Sequence, residues 1–172
     1  MRGDLHTLKK VCQYGSRVML GGTAVIIAVL AAYLVIGVAS FLSDGMASFL
    51  QDCIGIRFEG HTPLQVGAAY FAIVAILALA VVTVFVTYLV MTSISTEHSP
   101  FTETNTRPVL RLSQIYLIAA VLMGVLGLLG PHGILFAAFV FFGCILVSVI
   151  LYSFALIIRY GSVLQNESDH TL

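Results

Sequence analysis

The sequence predicts an all-α polytopic membrane protein, a four transmembrane helix bundle with both termini cytoplasmic. Three observations predict it. Of the 172 residues, 59% are hydrophobic and 9% charged, with mean hydropathy +1.04, whereas soluble domains hold roughly 45–50% apolar and about 25% charged residues. A soluble body of this size cannot bury so much apolar surface. Four long apolar runs contain no charged residue. Finally, seven of the eight basic residues fall in segments that four crossings place on one side of the membrane.

A helix needs about 20 apolar residues to cross the ~30 Å hydrocarbon layer. The first run, 18–42, follows Lys9, Lys10 and Arg17 as a signal peptide would. Its apolar core is longer than the usual ~7–15 residues of such a peptide, which predicts a retained span. The second span is predicted over 64–92. The third run, Ser113 to Leu129, is short by itself, so its helix is predicted over 109–129 with Arg111 snorkelling to the interface. The fourth covers 133–160. A tight Gly130-Pro131-His132-Gly133 turn makes the last two an antiparallel hairpin. Continuous runs without period-two alternation exclude a β-barrel. The chain 1–172 thus reads as one membrane domain ending in a short cytoplasmic tail, 161–172.

Positive charge sets the orientation. Arg2, Lys9, Lys10 and Arg17 precede span one, Arg107 and Arg111 lie between spans two and three, and Arg159 closes span four. Only Arg57 lies opposite. The loop Ser43–Pro63 therefore faces outward, and its half-apolar stretch from Met46 to Phe58 is expected to lie on the membrane or cap the bundle.

Helices in lipid associate through close packing and scattered hydrogen bonds. Expected contact stripes are Ala24, Ala28 and Ala32 on span one, Ala68 and Ala72 on span two, and Gly124, Gly127 and Gly130 on span three. Phe136, Phe139, Phe141, Phe142 and Phe154 of span four are expected to fill the gaps beside the glycines. Hydroxyls within the spans, Thr83 and Ser148 among them, are expected to bond their own backbone.

The chemistry of catalysis is not visible. Every Asp, Glu, Lys and Arg lies at a span end or in a loop, which disfavours a proton relay or ion pathway. Cys12, Cys53 and Cys144 are dispersed, and Cys53 alone faces an oxidising side, where it is an isolated thiol or cross-links two copies. The five histidines form no ligand-spaced pair. No phosphate loop, nucleophile elbow or zinc-protease motif is present. We expect no catalytic residue, cofactor or metal. Zero net charge makes direct nucleic-acid binding unfavourable.

Two cytoplasmic segments carry the most distinctive residues. The loop before span three reads HSPFTETNTRPVLRLSQ. A short surface helix is expected before Pro108, with span three beginning there, because proline lacks the amide proton. Phe101 would dip into the headgroups, and Arg107 and Arg111 would meet lipid phosphates. The tail reads YGSVLQNESDHTL, and the span-four helix is expected to continue to Gly161 or beyond.

In these two segments the chain resembles the bacterial domain-of-unknown-function family 2975, over nearly its whole length. The loop residues that carry the resemblance are Pro100, Phe101, Asn105, Arg107 and Arg111. Those of the tail are Gly161, Leu164, Gln165, Glu167, Asp169, Thr171 and Leu172. Pro108 departs from the family pattern. The resemblance implies the bacterial cytoplasmic (inner) membrane and no established catalytic activity. It also implies a gene often placed beside a small helix-turn-helix regulator.

The expected function is regulatory or sensory. The loop and tail residues would dock a small cytoplasmic partner such as that regulator, with the lipid bilayer as solvent. The alternative is an oligomeric transporter, pore or immunity-type protein acting on an apolar or peptide compound. A four-span monomer is small for transport, so this alternative expects a homo-oligomer.

Overall fold

The computed structural model describes residues 2–40, 60, 62–96, 103–131 and 133–170, with 2–9, 103, 165, 166 and 168–170 as backbone only. Among the described residues the protein is all-helical, and four of its helices are long and apolar enough to cross a membrane. They are α1 (Arg2–Ser40), α2 (Pro63–Thr96), α3 (Glu103–Leu129) and α4 (Gly133–His170). Helices suit this composition because each satisfies its own backbone hydrogen bonds where lipid offers none. Most of the expected outer loop (41–59), with Cys53, lies outside the described residues, as do His61 and His132.

Each helix is longer than its apolar run. In α1 the segment before Val18 is helical too. The start of α2 is set by a reciprocal cap at Thr62-Pro63-Leu64-Gln65. The Thr62 amide donates to Gln65 Oε1 at 2.9 Å, and the Gln65 amide donates to Thr62 Oγ1 at 3.4 Å. Pro63 stands at the first helical position, where an amide proton is not needed. One expectation is overturned in α3: the helix runs unbroken from Glu103 through Pro108. Pro108 lies early in the helix, so it removes only the bond to the Thr104 carbonyl, and the following turns hold the rest. Three residues separate α3 from α4, and Gly133 opens α4 at φ 78°, a conformation that a β-carbon would strain.

Burial corrects the expected stripe on α1. Ala24, Ala28 and Ala32 are exposed. The buried and half-buried face runs through Cys12, Ser16, Met19, Thr23, Ile26, Leu30, Tyr33 and Gly37, in alternating steps of four and three. α4 repeats the rhythm through Ala137, Phe141, Cys144, Ser148, Leu151, Ala155, Ile158 and Ser162. A mean step of about 3.5 residues keeps one seam of a helix against its neighbours. α2 differs: its described residues between Gln65 and Ser95 are half-buried or buried except Phe71, Ile76, Phe85 and Leu89. Of these, Ala68 and Ala69 are buried, so α2 is partly covered along its length, in keeping with its apolarity.

Contacts divide the chain into two units, each taking part of every helix. One comprises Met1–Ala24, Val82–Leu117 and Ile145–Leu172, the other Val25–Val81 and Ile118–Cys144. In the second unit, Tyr33 and Tyr70 stack with ring centroids 5.0 Å apart, and Tyr70 Oη donates to the Tyr33 carbonyl at 3.3 Å. The Tyr70 ring occupies the space a β-carbon on Gly37 would need. In the same unit a β-carbon on Gly127 would stand 2.8 Å from both Cα and Cβ of Ala137. Phe141 packs on Gly124 as expected, whereas Phe136, Phe139 and Phe142 are exposed. Phe154, in the first unit, is exposed as well.

The close approach at Gly127 makes a specific prediction. Gly127→Ala should destabilise the protein by about 1–3 kcal/mol through overpacking against backbone. Gly143→Ala should be neutral or slightly stabilising, because nothing lies within 4 Å of its added methyl. Denaturant unfolding of the two variants in detergent checks the contrast.

Candidate functional site

The first unit holds interhelical polar bonds. Ser148 of α4 donates through Oγ to the Ser113 carbonyl of α3 at 2.8 Å. Between α2 and α3, the Thr83 and Tyr116 hydroxyls are 3.0 Å apart. These correct the expectation that hydroxyls in the spans serve only their own backbone. That expectation holds for Thr23, Ser40, Thr87 and Ser153, which donate to carbonyls three or four residues back. Ser113 and Ser148 are 4% and 7% exposed where α3 and α4 face one another, whereas Thr23, at 6%, still bonds its own helix.

The same unit receives the loop and tail residues that the sequence singled out. Asn105 is 1% exposed, and among the described residues no larger side chain is so fully enclosed. It opens an inward face on α3 that continues through Val109, Leu112 and Ser113. A buried primary amide must satisfy two donor hydrogens and an acceptor oxygen, so Asn105 acts from inside the protein. Arg107 and Arg111, one helical turn apart, are exposed on the other side of α3. On α4, Gly161 is half-buried, while Leu164 and Glu167 are exposed. Gln165 and Asp169 lie on the same helix, with side chains outside the described residues. Pro100, Phe101, Thr171 and Leu172 lie outside the described residues altogether.

One feature of this end is not marked by the resemblance. Arg107 of α3 and Arg159 of α4 line a common groove of about 260 Å³ with Thr106, Leu110, Tyr152 and Leu156. Tyr152 and Arg159 are seven residues apart, two turns along one face. That spacing is readable in the sequence once α4 is extended past Ile158.

The second unit offers an apolar groove of about 390 Å³ between α3 and α4. Val121, Gly124, Val125, Ala138 and Phe142 are among its walls. Among the described residues no group of three or more His, Cys, Asp or Glu side chains stands where it could hold a metal ion. Cys12 and Cys144 are free thiols. The arrangement can bind and orient through charge and burial at the end of α3 and α4.

No family model, curated protein or solved structure matches the chain. The family resemblance therefore rests on the loop and tail residues named above.

The polar seam is testable by stability. Ser148→Ala should cost about 1 kcal/mol, the scale of interhelical hydrogen bonds in lipid. Ser113→Ala should cost less, since it is the backbone carbonyl of Ser113 that accepts the shorter bond. Asn105→Leu should cost about 1–3 kcal/mol by stranding buried polar groups. Unfolding titrations in mixed micelles would rank the three.

Proposed function

We propose that the protein is a non-catalytic regulatory or sensory protein of the bacterial cytoplasmic membrane. Its end formed by the start of α3 and the end of α4 docks a small cytoplasmic partner, and a helix-turn-helix regulator is the partner that the family resemblance implies. The observation that carries this reading is the form of the tail. α4 stays helical to His170, six residues beyond Leu164, where its apolar candidate span ends. A tail that only solubilised the terminus would need no such ordered projection. The projection carries Leu164 and Glu167 exposed, an apolar and an acidic contact of the kind a small basic partner recognises. Arg111 adds an exposed cation at the start of α3. Asn105 supports the surface from within. The positive-inside distribution supports a cytoplasmic position for this end.

A second reading, an oligomeric protein acting on an apolar compound, is favoured by the groove between α3 and α4. That groove is walled by aliphatic and aromatic side chains and offers water no polar path.

The decisive experiment uses the full chain in nanodiscs, titrated with the helix-turn-helix protein encoded beside its gene. Saturable binding should weaken by about tenfold or more on Glu167→Lys, as loss of an interfacial charge pair does, and vanish on deletion of 161–172. Absence of such a neighbouring gene, or of binding, overturns the reading. A C-terminal alkaline phosphatase fusion should be inactive in cells, and an active fusion would place the tail outside.

A further inference from the structure

A groove of about 390 Å³ runs between α3 and α4 within the second unit. Its floor follows the line where the two helices touch. There Ala137 is 2% exposed, Phe141 packs on Gly124, and Gly127 admits the Ala137 backbone. Its rims are exposed: Val121, Val125 and Leu128 on α3, Ile134 and Phe142 on α4. No residue lining it carries a charged or hydrogen-bonding side chain. A buried water needs about two to four polar partners, and an apolar cavity stays dry. An empty groove is unfavourable too, because the atoms lining it lose dispersion contacts on one side. Its occupant is therefore apolar.

Position narrows the choice. A turn cannot sit exposed in hydrocarbon, where lipid offers its backbone no hydrogen-bond partner, so Gly130 and Pro131 mark an interface. The groove begins beside them, at Leu128 and Ile134, and runs inward along both helices to Val121 and Phe142. Val121 stands nine residues before Gly130, and Phe142 nine beyond Gly133, about 13 Å of depth at roughly 1.5 Å per residue. One leaflet supplies about half of the ~30 Å of hydrocarbon. The groove thus starts at the headgroups, follows the direction of the acyl chains and ends near the middle of the bilayer. The Phe141 and Phe142 rings stand at that inner end, edge to face with centroids 5.4 Å apart. A compound recognised as a whole is oriented by a few placed polar groups, and this lining has none. An acyl chain needs none, because its own headgroup at the interface orients it.

We propose that the groove binds one acyl chain of a phospholipid from the leaflet on the side of the α3–α4 turn, with the headgroup beside the turn. The inference rests on the apolar lining that favours the second reading above, and it needs neither an oligomer nor transport. A strictly monomeric protein would end that reading and leave this site intact.

The chain has no tryptophan, so a single introduced indole reports its own surroundings. Phe142→Trp puts one in the groove. Phe139→Trp puts one on the same helix at nearly the same depth, 80% exposed and outside the groove. The full chain in micelles is titrated with phosphatidylcholine brominated on its acyl chains, whose bromine quenches indole on contact. Phe142→Trp should be quenched saturably, at a lipid-to-detergent ratio about tenfold lower than Phe139→Trp, the equivalent of about 1.4 kcal/mol of extra contact. Adding Ala138→Leu, which fills the groove from its half-buried wall, should abolish the difference. Leu135→Ala, at an exposed position outside the groove, should preserve it. Val125→Trp on the opposite wall serves as the probe if Phe142→Trp fails to fold. Three results would each overturn the proposal. They are equal quenching curves for the two indoles, a difference that survives Ala138→Leu, and association of copies that shields Phe142→Trp from the lipid, which would give the groove to a second copy.

Discussion

Lipid supplies no hydrophobic force between helices, and the rest of this structure depends on that constraint. Leucine gains nothing by leaving hydrocarbon for another leucine, so association needs close approach or a hydrogen bond. The seams are built from residues that provide one or the other. Gly37 admits the Tyr70 ring, Gly127 admits the Ala137 backbone, and Gly124 admits Phe141. Ser148 reaches the Ser113 carbonyl, and Thr83 meets Tyr116. Large aliphatics and most of the phenylalanines of α4 are left to face outward. In a soluble protein that distribution would be inverted.

The same constraint explains what was legible in the sequence. Helix number and approximate position follow from length and charge, which the bilayer dictates directly, and all four spans were readable. The inward faces were not. Ala24, Ala28 and Ala32 have the right size and an even step of four, yet they face outward. Most residues near them are also apolar, so size alone does not mark the seam. The better signal was the polar content of α1 itself: Cys12, Ser16 and Thr23 all lie on the buried face. These weakly polar residues of α1 point inward, with Ser16 and Thr23 donating to carbonyls of their own helix. The exposed residues of a soluble helix carry the opposite information.

Local chemistry was legible unevenly. Thr62-Pro63-Leu64-Gln65 is a readable helix start, with proline in its permitted place. Pro108 misled because its effect depends on distance from the helix start, and residues 103–107 were not expected to join the span helix. Once α3 begins at Glu103, a proline in the second turn removes one bond and leaves the helix intact. Asn105, Arg107 and Arg111 were singled out by resemblance, and their division between inside and outside needed the helix phase. The groove required still more, because Arg107 and Arg159 are far apart in sequence and meet only through the α3–α4 hairpin.

That phase gives the first turns of α3 a double character. Asn105, Val109 and Leu112 face inward, and Arg107 and Arg111 face outward. Pro108 stands between them and leaves the Thr104 carbonyl without its helical donor. The backbone here is thus held less by its own ladder than by the burial of Asn105 on one side. Local opening is governed by how few such contacts must be broken. A protein partner that binds Arg111 would act on the turn of α3 with one helical bond fewer than its neighbours. Loss of the Asn105 side chain and loss of the arginines should therefore be coupled at this turn, whereas seam changes at Gly127, far along the same helix, should add independently of both.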